Sequence, residues 1–224
     1  MIDELVETIG TFVAREVLPA AGLIDDTDEV PSHLVDTMNA LGVIGLADED
    51  VALIDVLRVV EALGTGSAAV ALLVVAPDAA NGERRDRTGL RGLRSGVDGV
   101  GDRKTLALAA AAAAIGAAGR AQQEAAQYLE NREAFGQVLI GVPVLAETLR
   151  KHRTALGAAR DALYASGDAR TAAGAAVAAC FDAIQLHGGY GYTTEYQVER
   201  IARDCISLRA LIAELDCDTG FRDA

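Results

Sequence analysis

Between Leu106 and Gly119 the chain reads LALAAAAAAIGAAG, and a second run, Ala172–Ile184, is almost as rich in alanine. Alanine is the strongest helix former and projects only a methyl group, so helices built this way can pack with their backbones close together. The residues that favour strands are scarce by comparison: aromatics make up 4% of the chain and tryptophan is absent. Leu106–Gly119 is also too short to span a bilayer, and it is mostly Ala and Gly. These runs predict an all-α protein.

Apolar periodicity fills in the rest. Ile2, Leu5, Val6, Ile9, Phe12, Val13 and Val17 recur at helical spacing, and Pro19 is expected to end that helix before an acidic connector, Asp25–Glu29. Pro31 opens a second helix with Leu34, Val35, Met38 and Leu41 on one face and Gly42 as its stop. Asp48–Asp50 introduce a third, through Val51, Ile54, Leu57 and Val60 to Gly64, and Ser67 caps a fourth that ends before Pro77. From Pro77 to Arg103 periodicity disappears and Gly, Asp and Arg dominate, with Arg84, Arg85, Arg87, Arg91, Arg94 and Arg103 in an otherwise acidic protein. This segment reads as a connector, or as a basic arm over an acidic partner or a pyrophosphate. A long helix runs from Lys104 to about Arg132, broken by NREAFGQ at Gly136. Pro143 starts the next, through Leu145, Leu149, Leu156 and Leu163 to Gly167, and Asp168 and Thr194 are expected to cap two more. The expected division is an N-terminal helical domain, 1–76, a linker, 77–103, and an up-down four-helix bundle, 104–224. No segment alternates strongly enough to predict a sheet.

The formal net charge of −13 argues against nucleic acid as a partner, though not against a phosphorylated small molecule. Cys180, Cys205 and Cys217 are odd in number and have no metal-ligand spacing with His33, His152 or His187, so reduced thiols are expected. The start, MIDELVE, is acidic and lacks a secretory pattern. Together with the absence of a membrane-length apolar run, this predicts a cytoplasmic protein with no membrane partner.

The stretch QLHGGYGYTTEYQVERIARD, residues 185–204, carries the chemistry. Gly188 stands where a helix commonly stops. Gly189 and Gly191 leave backbone without a Cβ, and Thr194 with Gln197 forms an apparent capping box that would aim free N–H groups back at the glycines. Two helix ends facing such a turn make an anion pocket. The competing reading is a tight corner in which Tyr190 and Tyr192 plug the core. Arg203 and Asp204 read as a structural ion pair, and His152 and His187 as packing residues.

Arg132-Glu-Ala-Phe-Gly136, then Gln185-Leu-His-Gly-Gly-Tyr-Gly-Tyr192, Glu195-Tyr-Gln-Val-Glu-Arg200 and Arg203-Asp204 resemble the C-terminal bundle of the acyl-CoA dehydrogenase family in order, separation and identity. The N-terminal pattern, down to LGVIGL at 41–46, is similar to that family's helical N-terminal domain. The resemblance implies an FAD-dependent oxidoreductase of lipid metabolism acting on acyl-CoA, assembled as a dimer or tetramer. It implies that Arg132, Phe135, Gln185, Gly188 and Gly189 contact FAD, with the Arg, Phe, Gln and Gly189 positions reaching across an interface to a neighbour's flavin.

The departures are as informative. The family's middle β-domain would fall where only Pro77–Arg103 lies, of which Gly89-Leu-Arg-Gly92 resembles a remnant. These enzymes remove the acyl α-proton with a carboxylate while the β-hydride passes to flavin. The usual Glu position falls on Ile212, and the alternative position on Leu106; neither can take a proton. Glu214 lies roughly 200° round the helix from Ile212, and Asp216 one turn on. Both are weak substitutes, so no catalytic residue is assigned. The resemblance therefore implies a subunit that contributes FAD contacts in trans to a full-length acyl-CoA dehydrogenase in a hetero-oligomer. The alternatives are a flavin-free helical scaffold and an active enzyme with a relocated base.

Overall fold

The computed structural model describes residues 2–48, 51–77, 102–134 and 136–217, the side chains of Asp48, Asp216 and Cys217 excepted. Its helices are α1 (Ile2–Phe12), α2 (Leu18–Thr27), α3 (Ser32–Ala40), α4 (Leu53–Gly64), α5 (Ala68–Leu72), α6 (Arg103–Asn131), α7 (Pro143–Ser166), α8 (Ala169–His187) and α9 (Val198–Cys217). Among the described residues the all-α expectation holds, apart from a two-residue antiparallel ladder, Glu133–Ala134 with Gln137–Val138, which no alternation in the sequence announced. The remaining arginine-rich residues of the predicted linker, 78–101, lie outside the described residues. Arg103 is already helical, and Asp102 caps α6 by accepting from the Lys104 N–H at 3.0 Å.

Three local readings need correction. Pro19 does not end the first helix. A π-helical turn, Val13–Val17, in which the Leu18 N–H reaches the Val13 carbonyl, joins α1 to α2, and Pro19 sits in the first turn of α2 where a missing N–H costs little. Asp25 is consequently helical, and the connector is only Asp28–Pro31, with Asp28 left-handed at φ 59°. Third, α9 does not start at Thr194. Its first main-chain bond runs from the Ile201 N–H to the Gln197 carbonyl, while Thr193 donates its hydroxyl to the Tyr190 carbonyl. A turn of hydroxyl-bearing residues competes with the helix here, and the cap moves one turn on. The other signals act as read: Ser67 and Asp168 accept from the Val70 and Thr171 N–H groups, and Gly167 ends α7.

α6 and α8 form the central diagonal of the bundle, each packed on α7 and α9. On α6 the whole run Leu106–Ala118 is buried, and α8 adds Ala172, Ala173, Ala176, Ala179, Cys180 and Ala183. α4 lies across α6, where a Cβ on Gly116 would stand 2.1 Å from the Glu61 carbonyl and one on Gly64 would stand 2.6 Å from the Ala113 carbonyl. Only two glycines facing each other's helix permit that crossing. Beside it Glu61 accepts from Arg160 Nε at 2.7 Å and from the Tyr164 hydroxyl at 2.6 Å, joining α4 to α7. Burial, and secondarily the Glu61 carboxylate, push the Tyr164 phenol well above its ordinary range. Apolar residues of both sequence halves thereby share one contiguous core.

Candidate functional site

α6 and α8 run in the same direction, so their C-terminal ends meet at one end of the bundle. α6 stops at Asn131. Arg132 turns extended, donates its N–H to the Tyr128 carbonyl at 2.9 Å, and accepts from Leu139 N–H at 2.8 Å, which folds the ladder back beside the helix end. Its exposed guanidinium lies over the Tyr190 ring, Cζ 5.6 Å from the centroid.

Tyr190 belongs to the 3-10 turn Gly188–Tyr192 that follows α8. Gly188 takes φ 60°, ψ −138° and donates to the Gln185 carbonyl. Gly191 is fixed by space: a Cβ there would sit 2.5 Å from the Ile184 carbonyl. Gly189 faces open space, and with Gln185 and Gly188 it is exposed. The core plug is not Tyr190 and Tyr192, which are 45% and 71% exposed. A cluster of Tyr128, His187 and Tyr196, with centroids 4.6–5.5 Å apart, fills that place. Period-based reading missed it because Tyr196 precedes α9 and Tyr128 lies on α6, so nothing in local spacing connects them. His187 is 1% exposed. Its Nδ1 donates to the Ala183 carbonyl at 2.7 Å, and Nε2 has no partner among the described residues. Tyr128 and Tyr196 also line a cleft of about 340 Å³ whose rim carries Arg132, Asn131, Gln127 and Glu124.

Thus Arg132 and the Gly188–Gly189 turn come to one end of the bundle, and all the described members of the predicted flavin-contacting set are exposed. Phe135 lies outside the described residues. The anion pocket between two facing helix ends does not form as read, because α9 begins too late. What remains is a planar guanidinium beside a glycine turn with a Cβ-free, open approach at Gly189, a donor set suited to phosphate oxygens.

The two positions expected from the resemblance to correspond to the family's base lie elsewhere. Ile212 and Leu106 are each 1% exposed, in the core at the opposite end. Glu214 is exposed on the other side of α9, and the Asp216 side chain is outside the described residues. Arg203 and Asp204 do not pair with each other, since adjacent helical residues point about 100° apart. Arg203 instead forms a bidentate pair with Asp25 at 2.9 and 2.7 Å and also holds Glu199. Asp204 faces inward to Arg200 at 3.2 Å, and Arg200 also bonds Gln197 at 3.0 Å. Burial pushes the Asp204 carboxyl up to about 6, against the pull of Arg200 and Arg203. His152, read as a packing residue, meets Asp182 at 2.6 Å and ties α7 to α8.

A four-helix bundle with a helical layer across its first helix and an Arg–Gly cluster at one end defines the class. Residues 105–211, just under half of the chain, match the acyl-CoA dehydrogenase C-terminal domain, and this part of the chain belongs to that family. It is similar to an acyl-CoA dehydrogenase of Bacillus subtilis (strain 168), 34% identical over 109 residues that make up 42% of this chain and 29% of that protein. It is also similar to subunit CarC of the caffeyl-CoA reductase–Etf complex of Acetobacterium woodii, 34% identical over 113 residues, 44% of this chain and 30% of that one. The match thus spans under a third of either relative's length. Among solved structures, butyryl-CoA dehydrogenase from Megasphaera elsdenii superimposes with TM-score 0.77 at 16% identity, covering 99% of this chain and 98% of that one. A glutaryl-CoA dehydrogenase from Mycobacterium smegmatis in complex with FADH2 gives 0.72 at 14% identity, covering 100% and 95%. Both show the fold.

Among the described residues no helix is long and apolar enough to cross a membrane, and no cluster of three or more His, Cys, Asp or Glu could hold a metal ion.

Proposed function

We propose that the chain is an acyl-CoA dehydrogenase-like subunit that contributes FAD contacts in trans to a full-length acyl-CoA dehydrogenase within a dimer or tetramer, and that it does not catalyse alone. The observation that carries this reading is the separation along α6. Arg132 lies 26 residues beyond Leu106, which at the helical rise is roughly 39 Å. The exposed Arg–Gly cluster and the positions of the family's base therefore occupy opposite ends of the bundle, and both base positions are buried and apolar. A subunit built this way offers its cluster outward and has nothing at the other end with which to take a proton.

Bound flavin supplies hydride acceptance. This chain's part is to hold it: Arg132 through a planar fork on phosphate oxygens, Gln185 through its amide, and Gly188–Gly189 through close backbone approach. The partner subunit supplies the rest of the FAD site, the acyl-CoA site and the base.

Co-expression with a full-length acyl-CoA dehydrogenase from the same genome tests the reading. The complex should hold fewer flavins than subunits, and the isolated chain should hold none. Arg132→Ala should loosen flavin about ten- to a hundredfold, as expected for one lost charge-assisted bond, while assembly persists. Equal flavin affinity in both complexes would leave the cluster a relic of the fold, and the flavin-free scaffold reading would replace this one. Turnover by the isolated chain, abolished in Glu214→Gln or Asp216→Asn, would establish a relocated base.

A further inference from the structure

Two of the chain's three cysteines meet inside the bundle, although they stand 25 residues apart. Cys180 on α8 and Cys205 on α9 are free thiols, and both are 0% exposed. The Cys180 S–H donates to Cys205 Sγ at 3.5 Å, and the Cys205 S–H donates to the Ala114 carbonyl of α6 at 3.7 Å. A disulfide holds its sulfurs at about 2.05 Å, so closing this pair takes roughly 1.5 Å of movement shared by two side chains. The third thiol is out of reach while α9 is helical. Cys217 lies twelve residues beyond Cys205 on that helix, roughly 18 Å along its axis.

The position of the pair in the chain gives such a bond a consequence. Residues 181–204 lie between the two cysteines, and they include Gln185, Gly188, Gly189 and Tyr190. Joining the sulfurs closes that stretch into a loop, tied at its base to α8 and α9. A cross-link of this kind removes conformations from the opened chain. The closed bundle, by contrast, resists oxidation. The Cys180 contact, burial and the nearby Asp204 carboxylate push the Cys205 thiol well above its ordinary range, and it is the thiolate that attacks an oxidant. Oxidation therefore passes through a local opening between α8 and α9. Once formed, the bond blocks the opening that admitted the oxidant.

We propose that Cys180 and Cys205 form a redox-sensitive staple, converted by a peroxide into a disulfide that ties α8 to α9 and holds the glycine turn between them. One sulfur, as thiolate, attacks a peroxide oxygen and breaks the O–O bond. That oxygen stays on sulfur as a sulfenic acid, and the other leaves as hydroxide and takes up the thiol proton to give water. The second sulfur then displaces the sulfenic oxygen as a second water, so two thiols lose two electrons and the peroxide gains them. The staple depends on neither flavin nor a partner. To test it, the reduced chain is treated with hydrogen peroxide, alkylated in denaturant and digested without reductant for mass spectrometry. One intramolecular Cys180–Cys205 bond is expected, with two hydrogens lost and Cys217 still alkylated. It should form faster in urea well below the unfolding midpoint. The oxidised chain should melt roughly 5–10 °C above the reduced one, a gain that dithiothreitol removes, and amides within 181–204 should exchange more slowly. Cys180→Ala and Cys205→Ala should each keep the wild-type circular dichroism and show neither the bond nor the shift. In wild type, absence of the bond, sulfinic acid in its place, or a bond to Cys217 or between two chains would overturn the proposal. So would an oxidised chain that melts no higher, unchanged exchange within 181–204, or the same shift in either variant.

Discussion

Gly116 of α6 faces the carbonyl of Glu61 on α4 so closely that a Cβ would stand 2.1 Å from it. The obstacle is backbone, so no side-chain rotation relieves it. Gly116→Ala should therefore force the two helices apart and destabilise the chain by about 1–3 kcal/mol. Gly119→Ala, on the same helix with nothing within 4 Å, should be neutral or gain up to about 1 kcal/mol. Urea denaturation of both variants measures the contrast.

Ile212→Glu should not install a base. The position is 1% exposed, so a carboxylate there would be stripped of most of its water, costing several kcal/mol. We expect lowered thermal stability and still no reduction of an electron-acceptor dye by any acyl-CoA. Dye reduction by this variant on its own would contradict the assignment of the two bundle ends.

The Asp204 carboxyl, pushed up to about 6 from its ordinary 3.8, makes stability depend on pH with a definite sign. The folded chain holds that proton more tightly than the unfolded one. Its contribution is therefore fully present below about 3.8 and is lost as pH rises through about 6. Asp204→Asn should lack this loss. Between pH 5 and 7.5 wild type should fall relative to the variant by on the order of 1 kcal/mol. Carboxylates held below their ordinary range, such as Asp102 beside Thr105 and Asp168 beside Thr171, are common to both proteins and cancel. Denaturant midpoints across that range give the answer.

Gly191→Ala should distort the turn after α8, where the Ile184 carbonyl leaves no room. Because this turn carries Tyr190 under Arg132, flavin retention in a complex with a full-length dehydrogenase should drop. Only Gly191 of this turn is buried, so the bundle should melt within a few degrees of wild type. Differential scanning calorimetry and flavin release together separate the two effects.

Much of the fold was legible because its signals are local. Alanine runs, the Asp168 cap and the glycine stops at Gly42 and Gly167 each act within a few residues. Pro19 misled because a π turn redistributes hydrogen bonds over more than one turn, which no pairwise spacing reveals. Thr194 misled because hydroxyl-rich turns compete with the helix they precede. The Arg–Gly cluster could be named from its motifs, but the Arg132–Tyr190 contact and the Tyr128–His187–Tyr196 stack needed the bundle, since they join two helices and the turns beside them that lie far apart in sequence. Arg203 was misassigned for the same reason: its true partner, Asp25, is 178 residues away.

That last pairing depends on the π turn at Val13–Val17. Such a turn holds one residue more than α-helical geometry requires, so it sets the rotational phase of everything after it. Removing a single residue there would restore regular helix and swing Asp25 about 100° round its axis, off Arg203, while Ile9 and Phe12 upstream kept their place in the core. The extra residue thus works as a phase shifter: one continuous helix presents two unrelated faces, its first half to α4 and its second to α9.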